Sequence, residues 1–134
     1  MPMLEWNDNL SVYISEIDEQ HKKCVNMIND LHDSMTSGNS SDTLLKIVGE
    51  MREYTVFHFS TEEKLMFAHS YPEIKSHESQ HRDFIKKVEE VEKDCKSGKI
   101  SLSMDILNFL TEWLVTHING TDKGMGDFLS KKGL

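Results

Sequence analysis

Long hydrophobic runs, positive charge and cysteine are what this 134-residue chain has least of. No apolar stretch approaches the ~20 residues that span a bilayer, so a membrane protein is not expected. The amino terminus MPMLEWNDNL has neither a basic stretch nor an apolar core, so no export signal is expected either. Lys and Arg total 15 against 23 Asp and Glu, and the net charge of -8 works against binding a phosphate backbone. Nucleic acid is therefore an unfavourable partner. Cys24 and Cys95 are the only cysteines and do not form a C-x-x-C pair, which excludes a disulfide framework or a thiolate metal cluster. Reduced thiols in a cytoplasm are expected. Strict apolar/polar alternation, internal repeats and low-complexity segments are also missing, so nothing suggests a sheet.

Helical periodicity is present instead, in four stretches. Helices are expected over about 18–37, 41–66, 72–96 and 103–119, flanked by an arm (1–17) without a clear period and a tail (120–134). Gly38-Asn39 and Ser97-Gly98 are the expected stops, Ser41 and Asp42 the caps of the second helix, and Pro72 suits the first turn of the third. Short connections predict one all-α domain, an up-down-up-down antiparallel four-helix bundle. Bundles of this kind build metal sites between facing helices.

The inner faces are unusually polar. Of seven histidines, His21, His58, His77, His81 and His117 fall on expected core-facing rows, together with Glu62 and Asp122. Burying that set without compensation would be very costly, and a metal centre supplies the compensation. His58 and Glu62 stand at i and i+4, roughly 40° apart around a helix, and His77 and His81 repeat the spacing. His117 and Asp122 are five apart, roughly 140° on an ideal helix, so Gly120 is expected to break or tighten the helix between them. His21 supplies the first helix's donor.

Five neutral imidazoles with two carboxylates suit iron better than calcium, magnesium or structural zinc. Seven ligands are too many for one ion, so two metals bridged by Glu62, Asp122 and a solvent oxygen are implied. Five terminal imidazoles and three shared bridges then leave one ion six-coordinate and the other five-coordinate. HESQH, residues 77–81, also spells H-E-x-x-H, the zinc protease motif. Phe84 stands where the extended form of that motif needs glycine, so the match is read as a coincidence of spacing, and Glu78, next in sequence to an inner-face residue, is expected to face solvent.

The ordered set His21, His58-x-x-x-Glu62, His77-x-x-x-His81 and His117-x-x-x-x-Asp122 resembles that of the hemerythrins, and THINGTDKGMGDFLSKKGL resembles the tail of bacterial members. The resemblance implies a centre of two iron ions bridged by an oxo or hydroxo oxygen, Glu62 and Asp122. His77, His81 and His117 would hold the saturated iron, and His21 and His58 the iron with the open position. It further implies reversible dioxygen binding, for storage, delivery or sensing, by a binding protein rather than an enzyme. Phe59 and Leu114 would line the oxygen pocket, with Trp113 packing nearby. Cys24, one turn after His21, occupies a place where relatives are expected to carry a bulky aliphatic residue. Peroxide or nitric oxide consumption, redox signalling and iron storage are the alternatives. Among the remaining residues, His32 lies ~16 Å along the helix from His21 and suits a bundle end. His69 and the acidic run Glu89, Glu90, Glu92, Lys93 and Asp94 are expected to be solvated.

Overall fold

A computed structural model describes residues 4–98 and 103–133. The start of the arm (1–3) and the last residue of the tail (134) lie outside the described residues. Four helices form the bundle: α1 (Ser15–Thr36), α2 (Ser41–Ala68), α3 (Ile74–Lys96) and α4 (Met104–His117). A π-helical segment, Ile118–Asp122, leads into a fifth helix, α5 (Lys123–Ser130). No strand occurs among the described residues. Among the described residues, no helix is long and apolar enough to cross a membrane.

Each boundary has a local cause. Ser40, rather than the expected Ser41 or Asp42, caps α2 by accepting from the Thr43 N–H, and Ser103 caps α4 by accepting from Ile106. Helix α1 stops where Gly38 takes φ 73°, and α3 where Gly98 takes φ 77°. Pro72 sits in the turn before α3 rather than inside its first turn. The tail, for which the sequence predicts no helix of its own, is mostly helical because Met125 and Leu129 bury completely against the bundle.

One continuous core runs through the molecule, built from Ile17, Ile28, Leu31, Val48, Met66, Val88, Leu107, Leu110 and Ile118. The aperiodic arm contributes to it as well: Leu10, Val12 and Ile14 are buried. Asp18 anchors the arm by accepting from the Ser11 hydroxyl at 2.6 Å and the Val12 N–H at 2.8 Å. The arm crosses α5 so closely that a β-carbon at Gly126 would stand 2.2 Å from the Val12 carbonyl oxygen and 2.9 Å from its Cβ. Gly126→Ala is therefore expected to displace the arm and lower stability by about 1–3 kcal/mol, the usual range for overpacking. Urea denaturation monitored by circular dichroism measures this, and an unchanged midpoint would contradict it.

Of the residues expected at the surface, Glu92 departs most. Glu92 is buried and pairs with Arg52 across α2 and α3, because a charge in that row survives burial only with a partner. His69 caps the end of α2 and is half-buried.

Candidate metal centre

Helices α1 to α4 each turn imidazoles inward at one level of the bundle. His21 projects from α1, His58 and Glu62 from α2, His77 and His81 from α3 and His117 from α4, and all six are buried. Asp122 joins them from the last residue of the π-helical segment, fully buried. That segment corrects the expectation at Gly120: the helix neither breaks nor tightens but widens. In i→i+5 bonding a turn holds more residues, so side chains five apart come onto one side. His117 Nε2 thereby lies 3.1 Å from Asp122 Oδ1.

The donors fall into two groups, each with its ligand atoms within 4.8 Å of one another: Glu62, His77, His81, His117 and Asp122, and His21, His58, Glu62 and Asp122. Each carboxylate divides between them. Glu62 Oε1 lies 3.3 Å from His77 Nε2 and 3.0 Å from His81 Nε2, while Oε2 lies 3.4 Å from His21 Nε2 and 3.2 Å from His58 Nε2. Asp122 Oδ1 lies 2.9 Å from His77 Nε2, and Oδ2 lies 3.0 Å from His21 Nε2. Glu78 belongs to neither group and reaches Arg82 at 3.6 Å, so the protease motif has no counterpart in space.

Apart from His77 Nε2 and Glu62 Oε1, which share a hydrogen bond at 3.3 Å, several of these atoms are close without being properly hydrogen-bonded. His21 Nε2, Glu62 Oε2 and both Asp122 oxygens find no hydrogen-bond partner of acceptable direction, although carboxylate and ring nitrogen stand about a contact apart. His81 Nε2 faces His117 Nε2 at 3.2 Å. Lone pairs that converge on common points, rather than on each other's hydrogens, are what cations between them would satisfy. The residues present fit a two-metal group on that ground. Without metal, protons serve in part. Burial would depress His21 and His77, yet the closely facing Asp122 and Glu62 carboxylates outweigh it and lift both to about 9. Burial acts oppositely on the two carboxyls, but the surrounding histidines hold both below the usual carboxylate range.

The far sides of the rings follow a pattern that sequence reasoning missed. Gln20 on α1 accepts from His58 Nδ1 on α2 at 2.6 Å, Glu63 on α2 from His81 Nδ1 on α3 at 3.2 Å, and Gln80 on α3 from His117 Nδ1 on α4 at 2.9 Å. Thr121 also donates to Gln80, at 2.7 Å. A proton held on Nδ1 leaves Nε2 bare as a ligand. The overlooked signal is adjacency: each of these polar residues is the sequence neighbour of a donor, yet serves the ring of the following helix.

Cys24, Phe59, Trp113 and Leu114 all line one small, largely enclosed cavity of about 20 Å³, with Ile28, Met51, Thr55, Phe84 and Leu110. His58 is the only one of the seven donors on its wall, so the cavity borders the group with two imidazoles. Trp113 stacks on both Phe84 and His117, at 4.1 and 4.5 Å between ring centroids. Burial pushes the Cys24 thiol up to about 12, which keeps it protonated. His32 is half-buried and lies outside both groups.

Residues 12–129 match the family described as the hemerythrin HHE cation binding domain. A bacteriohemerythrin from Stenotrophomonas maltophilia is 35% identical over 127 residues, covering 95% of this chain and 82% of that one. A myohemerythrin from Theromyzon tessulatum is 31% identical, over 88% and 87% of the two chains. The crystal structure of a wild-type hemerythrin superposes with a TM-score of 0.90 at 29% identity, over 96% of this chain and 98% of that one. With its bundle, its two donor groups and these similarities over nearly its whole length, the chain belongs to the hemerythrin family.

Proposed function

We propose that the chain binds dioxygen reversibly at a non-haem di-iron centre, to store, deliver or sense oxygen rather than to turn it over. His77, His81 and His117 would hold one iron, His21 and His58 the other, with Glu62 and Asp122 as bridges. One observation carries the reading: two buried donor groups share one oxygen each from two carboxylates, and an apolar cavity borders only the group poorer in imidazoles. A ferrous pair, when bound, would supply the two electrons that dioxygen takes up.

The chain's own residues do the rest. Gln20, Glu63 and Gln80 keep protons on Nδ1 and so keep Nε2 free. Two fully buried carboxylates offset cationic charge there. Phe59, Phe84, Leu110, Trp113 and Leu114 present hydrocarbon around a space just large enough for one water-sized molecule, which favours a small apolar guest over water. The free cysteines suit a reducing compartment, and we place the protein in the cytoplasm.

Cycles of anaerobic reduction, oxygenation and deoxygenation, followed by visible absorption and resonance Raman, test the proposal. A spectrum that appears with oxygen and disappears on its removal is expected. Irreversible oxidation in the first cycle would overturn it, and steady-state consumption of peroxide or nitric oxide with a reductant would replace it by an enzyme.

Cys24 gives a finer test. Its thiol occupies cavity wall that a larger aliphatic group would fill, so Cys24→Ile is expected to reduce the space open to water and slow autoxidation at an unchanged iron content. Equal or faster autoxidation in a folded, iron-loaded variant would leave Cys24 as packing alone.

A further inference from the structure

The three hydrogen bonds behind the rings are chemically unequal. Gln20 and Gln80 offer neutral amide oxygens, whereas Glu63 offers a carboxylate to His81. His21 Nδ1 and His77 Nδ1 find no partner among the described residues. His81 is also held on its face, where the Phe59 ring lies parallel at 3.7 Å between centroids and 4° between planes. Stacking fixes the plane of an imidazole but not which edge points inward. A half-turn about the bond to the ring keeps the stack and exchanges Nε2 for carbon at the inner edge.

We propose that Glu63 is the positioning residue of the three-imidazole group: its carboxylate selects the His81 orientation that aims Nε2 at Glu62 and makes His81 the strongest electron donor of the five rings. The inference rests on the di-iron reading above. A charge-assisted bond from Nδ1–H is stronger than a neutral one and raises the basicity of the opposite nitrogen. Greater donation stabilises the oxidised metal pair and lowers its reduction potential. Glu63 is also reachable from outside: its side chain is 33% exposed and lines an open groove of about 730 Å³ between α2 and α3, shared with Glu78, Arg82 and Ile85. Through Glu63 and the His81 ring, the buried centre is linked to that groove.

Glu63→Gln retains size and an acceptor oxygen but removes the charge, and Glu63→Ala removes both. Iron(II) binding isotherms and the reduction potential of the loaded protein are the readouts. Glu63→Gln is expected to keep two irons and shift the potential upward. Glu63→Ala is expected to lose affinity for iron(II) by about 10–100-fold, the usual cost of losing an outer partner of a ligating histidine. Glu78→Gln removes a carboxylate from the same groove that touches Arg82 and no ring, and is expected to leave both readouts unchanged. An unshifted potential in Glu63→Gln, unchanged affinity in Glu63→Ala, or an equal shift in Glu78→Gln overturns the role of Glu63. Failure of the unaltered chain to bind two irons overturns the di-iron reading instead, whatever the variants do.

Discussion

Glu62→Ala is expected to empty both metal positions together. Glu62 is the one side chain that approaches four of the five imidazoles, at 3.0 to 3.4 Å, with Oε1 serving one donor group and Oε2 the other. Its loss takes a donor from each group, leaving four residues in one and three in the other. It also halves the carboxylate charge that offsets two cations in a fully buried site. Affinity should fall well beyond the roughly 10–100-fold that loss of an outer partner costs. Metal analysis after desalting should therefore find two irons in the unaltered chain and far fewer than one in the variant. His32→Ala, on α1 but outside both groups, should keep two. A variant that retained one iron per chain would show independent sites and remove Glu62 as a bridge.

How far the centre is legible without coordinates depends on which residues are asked about. His58 with Glu62 and His77 with His81 declare themselves because an i,i+4 polar pair within an apolar stripe has few explanations in a bundle core. His117 with Asp122 shows that something unusual happens near Gly120, but not what. A π-helical turn is stabilised by what its side chains meet across the bundle, and local propensity carries no trace of it. The arm was opaque for a related reason. Leu10, Val12 and Ile14 are buried by crossing α5 and by Asp18, neither of which produces a period. Glu92 misled because composition cannot reveal that Arg52, forty positions away, meets it. Gln20, Glu63 and Gln80 read as ordinary surface residues until the helices are set side by side.

Metal-free protein is expected to be most stable in mildly acidic solution and to weaken toward pH 9. The two charged forms involved move in opposite directions. His21 and His77 sit near 9 in the folded chain, against 6.5 for a free imidazole, because Asp122 and Glu62 overcome the effect of burial. A raised histidine contributes stability that is complete below about 6.5 and is lost as pH rises through about 9. Glu62 and Asp122 are lowered, so their contribution is present above the ordinary carboxylate range and is lost on acidification below it. Together they place the metal-free optimum between the two windows, at about pH 5–6. Metal reverses the alkaline side. Its imidazole ligands must be neutral, so loading releases the protons that His21 and His77 hold, and apparent affinity rises across the same interval. Iron at a thousand times its dissociation constant would add about 4 kcal/mol. The gap in melting temperature between loaded and metal-free protein should therefore widen steadily from pH 6 to pH 9. Scanning calorimetry of both forms at several pH values measures it. A metal-free melting temperature that rose over that interval, or a gap that stayed constant, would mean that His21 and His77 are not held protonated by the carboxylates they face.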